Sequence, residues 1–363
     1  MFIIRLTGGL GNQMFQYSLY VKLKKCGCKV VLFADTNNLK EHNGIELNRL
    51  FENISITNNK FLCVYFTMYP YLQRIGWLFA KYRFGLINKA ILFKVITFPV
   101  WENYQLNDSE LVQIRYIFSF PSIADKANLQ IRNKIKETNS VSIHIRRGDY
   151  IKSPIYRRTH GNVCTSDYYI KSIEYILQHV KKPVFFVFSD DIQWAKDNLS
   201  LNDVYYISGN NGLNSYIDMQ LMSLCKHNII ANSTFSAWGA ILNSNPDKIV
   251  IAPRKWINNC FDKTLQKIGY YDWVIIDNRV PIITLRADGM KLSDKYIDYL
   301  LKQTHNDYRV VSDTVLNDDR FVFNIAHTEI SLINIEMKDI EFEALSDRYW
   351  IEKKICDYYE KSK

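Results

Sequence analysis

Val141-Ser142-Ile143-His144-Ile145-Arg146-Arg147-Gly148-Asp149-Tyr150 decides how the rest of the chain is read. Val141, Ile143 and Ile145 fall on one face and Ser142 and His144 on the other, the period-two pattern of a short buried strand. The pattern then breaks into two arginines, a glycine and an aspartate. In an open α/β sheet, ligands bind beyond the carboxyl ends of the strands, so two guanidinium groups stand where a ligand would sit. A guanidinium stays charged and presents a planar fork that matches phosphate oxygens. Gly148 permits a tight turn. Asp149 can pin an arginine (Arg147 is one partner) or act on a substrate proton. A surface ion pair is the plain alternative, but the change of polarity at a strand end favours an anion site.

Working outward, the same strand-then-polar-turn layout recurs. Met1 to Leu6 reads as a strand that runs into Thr7-Gly8-Gly9-Leu10-Gly11-Asn12-Gln13 and then a helix carrying Met14, Phe15, Tyr17, Ser18, Val21 and Leu23. Strand, glycine-rich turn and helix aim backbone N–H groups at an anion. Asn12 and Gln13 add amides at the helix start. The turn is neither G-x-G-x-x-G nor a P-loop, and a tight βα turn explains it equally well. With Lys29 to Phe33 as second strand, the opening is βαβ and argues a parallel sheet. Leu129 to Lys136 reads as a helix, Tyr168 to Val180 as a helix capped by Asp167, and Pro183 to Phe188 as a buried strand ending in Ser189-Asp190-Asp191, where one aspartate serves as a helix cap. Val204 to Ile207 is a strand. Asn214 to Cys225 is a helix carrying Asp218. Asn228 to Ala231 is a strand ending in Asn232-Ser233-Thr234-Phe235-Ser236, with a helix from Ala237, so hydroxyls and N–H groups again meet at a strand-to-helix turn. Lys248 to Pro253 is the last strand of this series.

Between Phe61 and Trp101 aromatic and aliphatic residues alternate with Lys and Arg, and no acidic residue lies between Glu52 and Glu102. This reads as a basic, aromatic, helical insertion whose lysines snorkel. A peripheral contact with an anionic membrane face is the alternative. Trp101-Glu102-Asn103-Tyr104-Gln105 reads as a sugar-contacting loop. After about Asp277 the chain holds a helix over Lys291 to Gln303, strands over Phe321 to Ile325 and Ile330 to Ile335, and a closing helix over Tyr349 to Tyr359, an α+β extension.

The 363 residues, 47% hydrophobic and 23% charged, describe a folded protein of more than one domain. A net charge of +9, from 46 basic and 37 acidic residues, fits anionic partners. It points to no nucleic acid, because the basic residues form no run and no recognition motif. Seven cysteines without a C-x-x-C pair imply neither a disulfide framework nor zinc. No apolar run reaches about 18 residues and the N-terminus reads as no signal peptide, so the expected location is cytoplasmic, at the inner face of the membrane if the basic stretch docks there.

Gly8-Gly9-Leu10-Gly11-Asn12-Gln13-Met14-Phe15-Gln16-Tyr17, His144-Ile145-Arg146-Arg147-Gly148-Asp149-Tyr150, Phe188-Ser189-Asp190-Asp191 and Ile229-Ile230-Ala231-Asn232-Ser233-Thr234-Phe235-Ser236 occur in this order. Together they resemble the bacterial α-1,2-fucosyltransferases, glycosyltransferase family 11, over residues 1 to about 278. The resemblance implies an α/β fold of two Rossmann-like lobes of the GT-B kind: an acceptor lobe over 1–128, a donor lobe over 129–278, and the extension 279–363 outside the family core. It implies inverting transfer of L-fucose from GDP-β-L-fucose to the 2-hydroxyl of a β-galactoside, lipid-linked in the setting of O-antigen and lipopolysaccharide synthesis. It implies no metal and no cofactor beyond the donor itself, and the chain indeed holds no D-x-D. Arg146 would contact the β-phosphate, and His144 and Asp218 the guanine. Gly9, Gly11, Asn12, Ser233 and Thr234 would complete the donor site, and Asp149 would take the acceptor proton, with His160 as the other candidate. Phe235-Ser236-Ala237-Trp238-Gly239 departs from the tryptophan pair usual in such proteins, which bears on acceptor choice. A transferase of another GDP-sugar and, from the first βα turn alone, a dinucleotide oxidoreductase are the alternatives.

Overall fold

The computed structural model describes residues 2–34, 43–59, 61–64, 94–96, 106–257, 272–276, 283–286, 294–301, 308–312, 321–323 and 333–336. The chain starts with strand β1 (Phe2–Arg5), helix α1 (Leu10–Lys25) and strand β2 (Val30–Phe33), the βαβ opening that the sequence implies. β1 pairs in parallel with β2 and, on its other side, with β3 (Lys94–Ile96). β3 lies inside the stretch expected to be helical; the β-branched pair Val95-Ile96 sits there. Apart from residues 61–64 and this strand, the basic aromatic insertion and Trp101 to Gln105 lie outside the described residues. α1 carries lysines 22, 24 and 25 in its last turn, where the helix dipole favours cations, and Gly27 follows at φ +73°.

The second sheet grows around β4 (Asn139–Ile145) and β5 (Pro183–Ser189), parallel neighbours in register Ile143↔Val187. With β6 (Val204–Ile207), β7 (His227–Ile229), β8 (Val250–Pro253) and β9 (Val274–Ile276) the order is β6-β5-β4-β7-β8-β9. Both faces of β4 are covered, as parallel sheets require. Val141, Ile143 and Ile145 are buried, and so are Ser142 and His144 on the opposite face. Each fully buried aliphatic side chain contributes about 1.5–3 kcal/mol. Beside β4, buried Asn228 donates from Nδ2 to Ser142 Oγ at 2.8 Å and accepts at Oδ1 from Asn243 at 2.7 Å.

Crossover helices follow the strands. α2 (Leu47–Leu50) and α3 (Asp108–Ile117) precede α4 (Lys126–Glu137), whose cap Asp125 accepts from the Asn128 N–H. The segment after β4 makes α5 (Gly148–Lys152) and α6 (Pro154–His160). α7 (Ser166–His179) begins one residue before Asp167, so Asp167 is not its cap but sits in its first turn and pairs with Lys171. α8 (Ile192–Asn198) is capped by Asp191, as expected. α9 (Tyr216–Leu224) carries Asp218. α10 (Thr234–Leu242) begins three residues before the expected Ala237, because the Ser233 side chain accepts the Phe235 N–H and starts the helix there.

Contacts divide the chain into two compact units. The first is Met1–Ile145, Glu174–Ala252 and Gln266–Val274; it holds the three-stranded sheet and most of the six-stranded one. The second is Arg146–Ile173, Pro253–Leu265 and Ile275–Lys363. The second unit contains an all-parallel sheet of β10 (Ile283–Arg286), β11 (Tyr308–Ser312), β12 (Phe321–Phe323) and β13 (Ile333–Glu336), in the order β12-β11-β10-β13, with α11 (Asp294–Leu301) between β10 and β11. The helix expected over 291–303 runs Asp294–Leu301, and the strands expected over 321–325 and 330–335 run Phe321–Phe323 and Ile333–Glu336. Parallel pairing across a crossover helix makes this part α/β where an α+β extension was expected. The closing helix over 349–359 lies outside the described residues. The fold class is α/β, with parallel pairing in each of the three sheets. No helix among the described residues is long and apolar enough to cross a membrane.

Candidate functional site

In the first unit the turns after β1 and β7 meet. Gly11 lies so close to α10 that a Cβ there would come within 2.7 Å of the Thr234 backbone and hydroxyl. The Thr234 hydroxyl donates to Asn12 Oδ1 at 2.8 Å, and the buried Trp238 indole donates to the Gly11 carbonyl at 2.9 Å. Glycine is required at 11 because two helix starts share the same space. Gly11, Asn12, Ser233 and Thr234 are therefore brought together, as a binding turn would need, but much of their polar capacity is used by each other. At the far end of α10, Lys248 donates to the Ala240 and Asn243 carbonyls and Arg115 to those of Ile241 and Asn243. Burial lowers the Lys248 pKa to about 8.

The glycine-rich turn is also filled from its other side. Gln13, fully buried, donates to the Gly8 and Gly44 carbonyls at 2.9 Å each and accepts the Glu46 N–H at 2.9 Å. The Glu46 carboxylate takes the backbone N–H of Leu10, the first residue of α1, together with Asn43 Nδ2 and Arg49 Nη2. The protein's own carboxylate thus occupies the helix start at which Gly9 precedes α1. Burial, the largest influence, raises the Glu46 pKa against these bonds.

Asp218 is buried in the first turn of α9, and its Oδ1 accepts from Asn210 Nδ2 at 2.7 Å. Asn210 in turn exchanges side-chain hydrogen bonds with Asn128 at 2.8 and 3.0 Å. Burial pushes the Asp218 pKa up to about 7, which the single Asn210 bond only partly offsets. His144, buried in β4, sets its ring 5.7 Å from that of Phe235, next to Thr234. His144, Asp218 and the Ser233–Thr234 turn all belong to the first unit.

Arg146 and Asp149 belong to the second unit. Arg146 Nε meets Asp149 Oδ1 at 2.9 Å, an i,i+3 pair about a third exposed on each side. The sequence had suggested Arg147 as the partner of Asp149; the helical start at Gly148 brings Arg146 onto it. The Arg146 guanidinium also lies 5.7 Å from the Tyr150 ring centre. His160, at the end of α6, has its ring centre 5.0 Å from that of Tyr150, tilted by 34°, and its Nδ1 2.7 Å from the Thr159 hydroxyl. Burial lowers its pKa below the usual value despite the opposing charge of Asp149, so the imidazole is neutral near pH 7.

Sequence reasoning missed Asn43, Glu46, Arg49, Asn128 and Asn210. Each has a partner far along the chain that no local pattern records: Asn43 and Arg49 reach Gly212 and Leu213, Glu46 reaches Gln13, and Asn128 and Asn210 reach each other.

The family model described as Glycosyl transferase family 11 matches residues 1–277. An Escherichia coli protein named alpha-1,2-colitosyltransferase is 35% identical over 295 residues, covering 76% of this chain and 98% of the relative. The O-antigen biosynthesis glycosyltransferase WbnK of Escherichia coli is 36% identical over 282 residues, covering 69% and 93%. A solved structure of NodZ alpha-1,6-fucosyltransferase co-crystallized with GDP matches at TM-score 0.39 and 15% identity, covering 69% of this chain and 94% of that one. With its family model spanning 277 residues and such relatives matched over nearly their whole length, the chain belongs to glycosyl transferase family 11 and is a glycosyltransferase.

Proposed function

We propose that the protein transfers L-fucose from GDP-β-L-fucose to the 2-hydroxyl of a β-galactoside in a surface glycan, with inversion and without a metal. The observation that carries this reading is the Arg146–Asp149 pair just beyond the carboxyl end of β4. The paired carboxylate restrains the guanidinium near the strand end, and a restrained fork favours bidentate recognition of a diphosphate. As the glycosidic bond breaks, charge grows on the β-phosphate oxygen, and Arg146 meets it there. The Ser233 hydroxyl and the Thr234 N–H at the start of α10 add neutral donors. Asp218 and His144 read the guanine, the carboxylate taking its N1–H and N2–H. With Asp149 engaged by Arg146, the neutral His160 is the better proton acceptor for the acceptor hydroxyl, and Asp149 orients. A lipid-linked oligosaccharide is the proposed form of the acceptor, with the 60–100 stretch as the membrane-facing element.

A second reading has its own support: a relative 35% identical is named a colitosyltransferase. Colitose differs from fucose by the loss of the 3-hydroxyl, so either GDP-sugar presents the same diphosphate and base. Incubation with GDP-fucose or GDP-colitose and a panel of β-galactosides, followed by linkage analysis, separates the two. An α-1,2-fucosylated product supports the first reading; transfer from GDP-colitose alone replaces it with the second.

A further inference from the structure

The segment 43–49 bridges two parts of the first unit that are remote in sequence. Asn43 Nδ2 donates to the Gly212 carbonyl at 2.8 Å and lies 3.1 Å from Ser215 Oγ. Arg49 Nη1 donates to the Leu213 carbonyl at 2.9 Å while its Nη2 meets Glu46 Oε1 at 3.2 Å. Its guanidinium lies 6.0 Å from the Tyr216 ring, which stacks on Phe120. Glu46 itself is anchored on the start of α1 and on Gln13. The turn they grip, 209–215, joins β6 to α9 and contains glycines at φ +100° and +56°. Within the turn the Asn211, Asn214 and Ser215 N–H groups bond the carbonyls of Gly209, Asn211 and Gly212 at 3.1–3.2 Å, and the Gly212 and Leu213 carbonyls are bonded from outside by Asn43 and Arg49. The turn begins beside Asn210, which donates to Asp218, and ends at Ser215, whose carbonyl accepts the Asp218 N–H at 3.1 Å.

We infer that Asn43 and Arg49 are positioning residues for the base-reading side of the donor site: they clamp turn 209–215 so that Asn210 and Asp218 keep the arrangement that receives a guanine edge. The inference rests on the GDP-sugar reading above. Two groups on one side each bond a carbonyl of the turn, and the two ends of the turn each bond Asp218. A loosened turn would therefore move the carboxylate without touching the phosphate-binding groups.

The test uses the full chain and two probes, GDP and ADP, in calorimetric titrations, together with donor KM and kcat. Asn43→Ala removes the bond to Gly212. Arg49→Lys keeps a cation beside Glu46 but cannot reach Glu46 and Leu213 together. The expected result is GDP binding weakened several-fold in each variant and about tenfold in the pair, from the loss of one or two hydrogen bonds' worth of ordering. The preference for GDP over ADP shrinks, and donor KM rises more than kcat falls. A merely structural role would lower the melting temperature and leave the GDP-to-ADP ratio of the folded protein unchanged. Folded variants with affinity and ratio within about twofold of wild type overturn the clamp. If the double variant does not fold, Asn43→Ala decides alone, since its bond to Gly212 lies at an exposed edge. Folded wild type that binds no GDP overturns the donor reading instead, a distinct outcome that removes the clamp's purpose with it.

Discussion

The turns after β1 and after β4 invite the same sequence reading, and the structure treats them in opposite ways. After β1, glycines and amides would suit an anion, yet the space is taken: Thr234 packs on Gly11, and Glu46 sits on the Leu10 N–H. After β4, Arg146 and Asp149 remain about a third exposed, paired and held. The difference teaches that a glycine-rich turn can serve the close approach of two helices as well as that of a phosphate. A charged fork at a strand end has no such packing use, and solvation of its charge keeps it at the surface of its own unit.

The largest effect expected is on the β4 side. Arg146→Lys keeps the charge and loses the fork, so turnover should fall about 10²-fold or more, a few kcal/mol of transition-state stabilisation, in a protein with an unchanged circular dichroism spectrum. Near-normal turnover of that variant would break the comparison, since the phosphate role would then lie elsewhere.

Asp218 extends the contrast to buried carboxylates. Glu46 has an arginine, an amide and a backbone N–H; Asp218 has one amide and a pKa raised by burial to about 7. Below that value Asp218 is neutral and cannot accept two guanine N–H groups, so GDP affinity should fall by about tenfold per pH unit below 7 and level off above 8. The stability sign runs the other way. The folded state holds the Asp218 proton more tightly than the unfolded chain, so this group's contribution is present at low pH and is lost as pH rises through about 7. Asp218→Asn should therefore bind GDP poorly at all pH values while unfolding at higher urea than wild type at pH 8. A flat affinity profile for wild type would detach Asp218 from the base.

On the β1 side, Gly11→Ala should cost about 1–3 kcal/mol of stability, because its methyl meets Thr234 backbone rather than a movable side chain. Urea titration reads this directly; an undisturbed midpoint would show that the two helix starts are not locked. The smallest effect expected is none: activity should be unchanged by EDTA, since Arg146 and neutral donors are proposed to meet the diphosphate charge. Loss on chelation with recovery on adding manganese would return a metal to the β4 side.

Much of the fold was legible because its signals are local. The alternation of Val141, Ile143 and Ile145, the apolar run of β5, the Asp191 cap and the βαβ opening each depend on neighbours within a turn or two. The start of α10 was misplaced because its apolar run is read from Ala237, whereas the cap bond from Ser233 to Phe235 fixes the first turn. The strand at Lys94–Ile96 was missed because only pairing with β1 makes three residues a strand.

By itself, then, the sequence determined the parallel α/β class, the family and the placing of Arg146, His144 and Asp149 around one strand end, since these follow from periodicity and from residues adjacent in the chain. Only the tertiary structure decided what each polar group is used for. Thr234 reaches Asn12 across 222 positions, and Asn43 reaches Gly212 across 169. Hydrogen-bond partners and burial at such separations depend on how the elements pack, which no local pattern records, and it is those partners that turn Gly11 into a packing contact, Glu46 into the occupant of a helix start, and Asp218 into a carboxylate that titrates near neutrality.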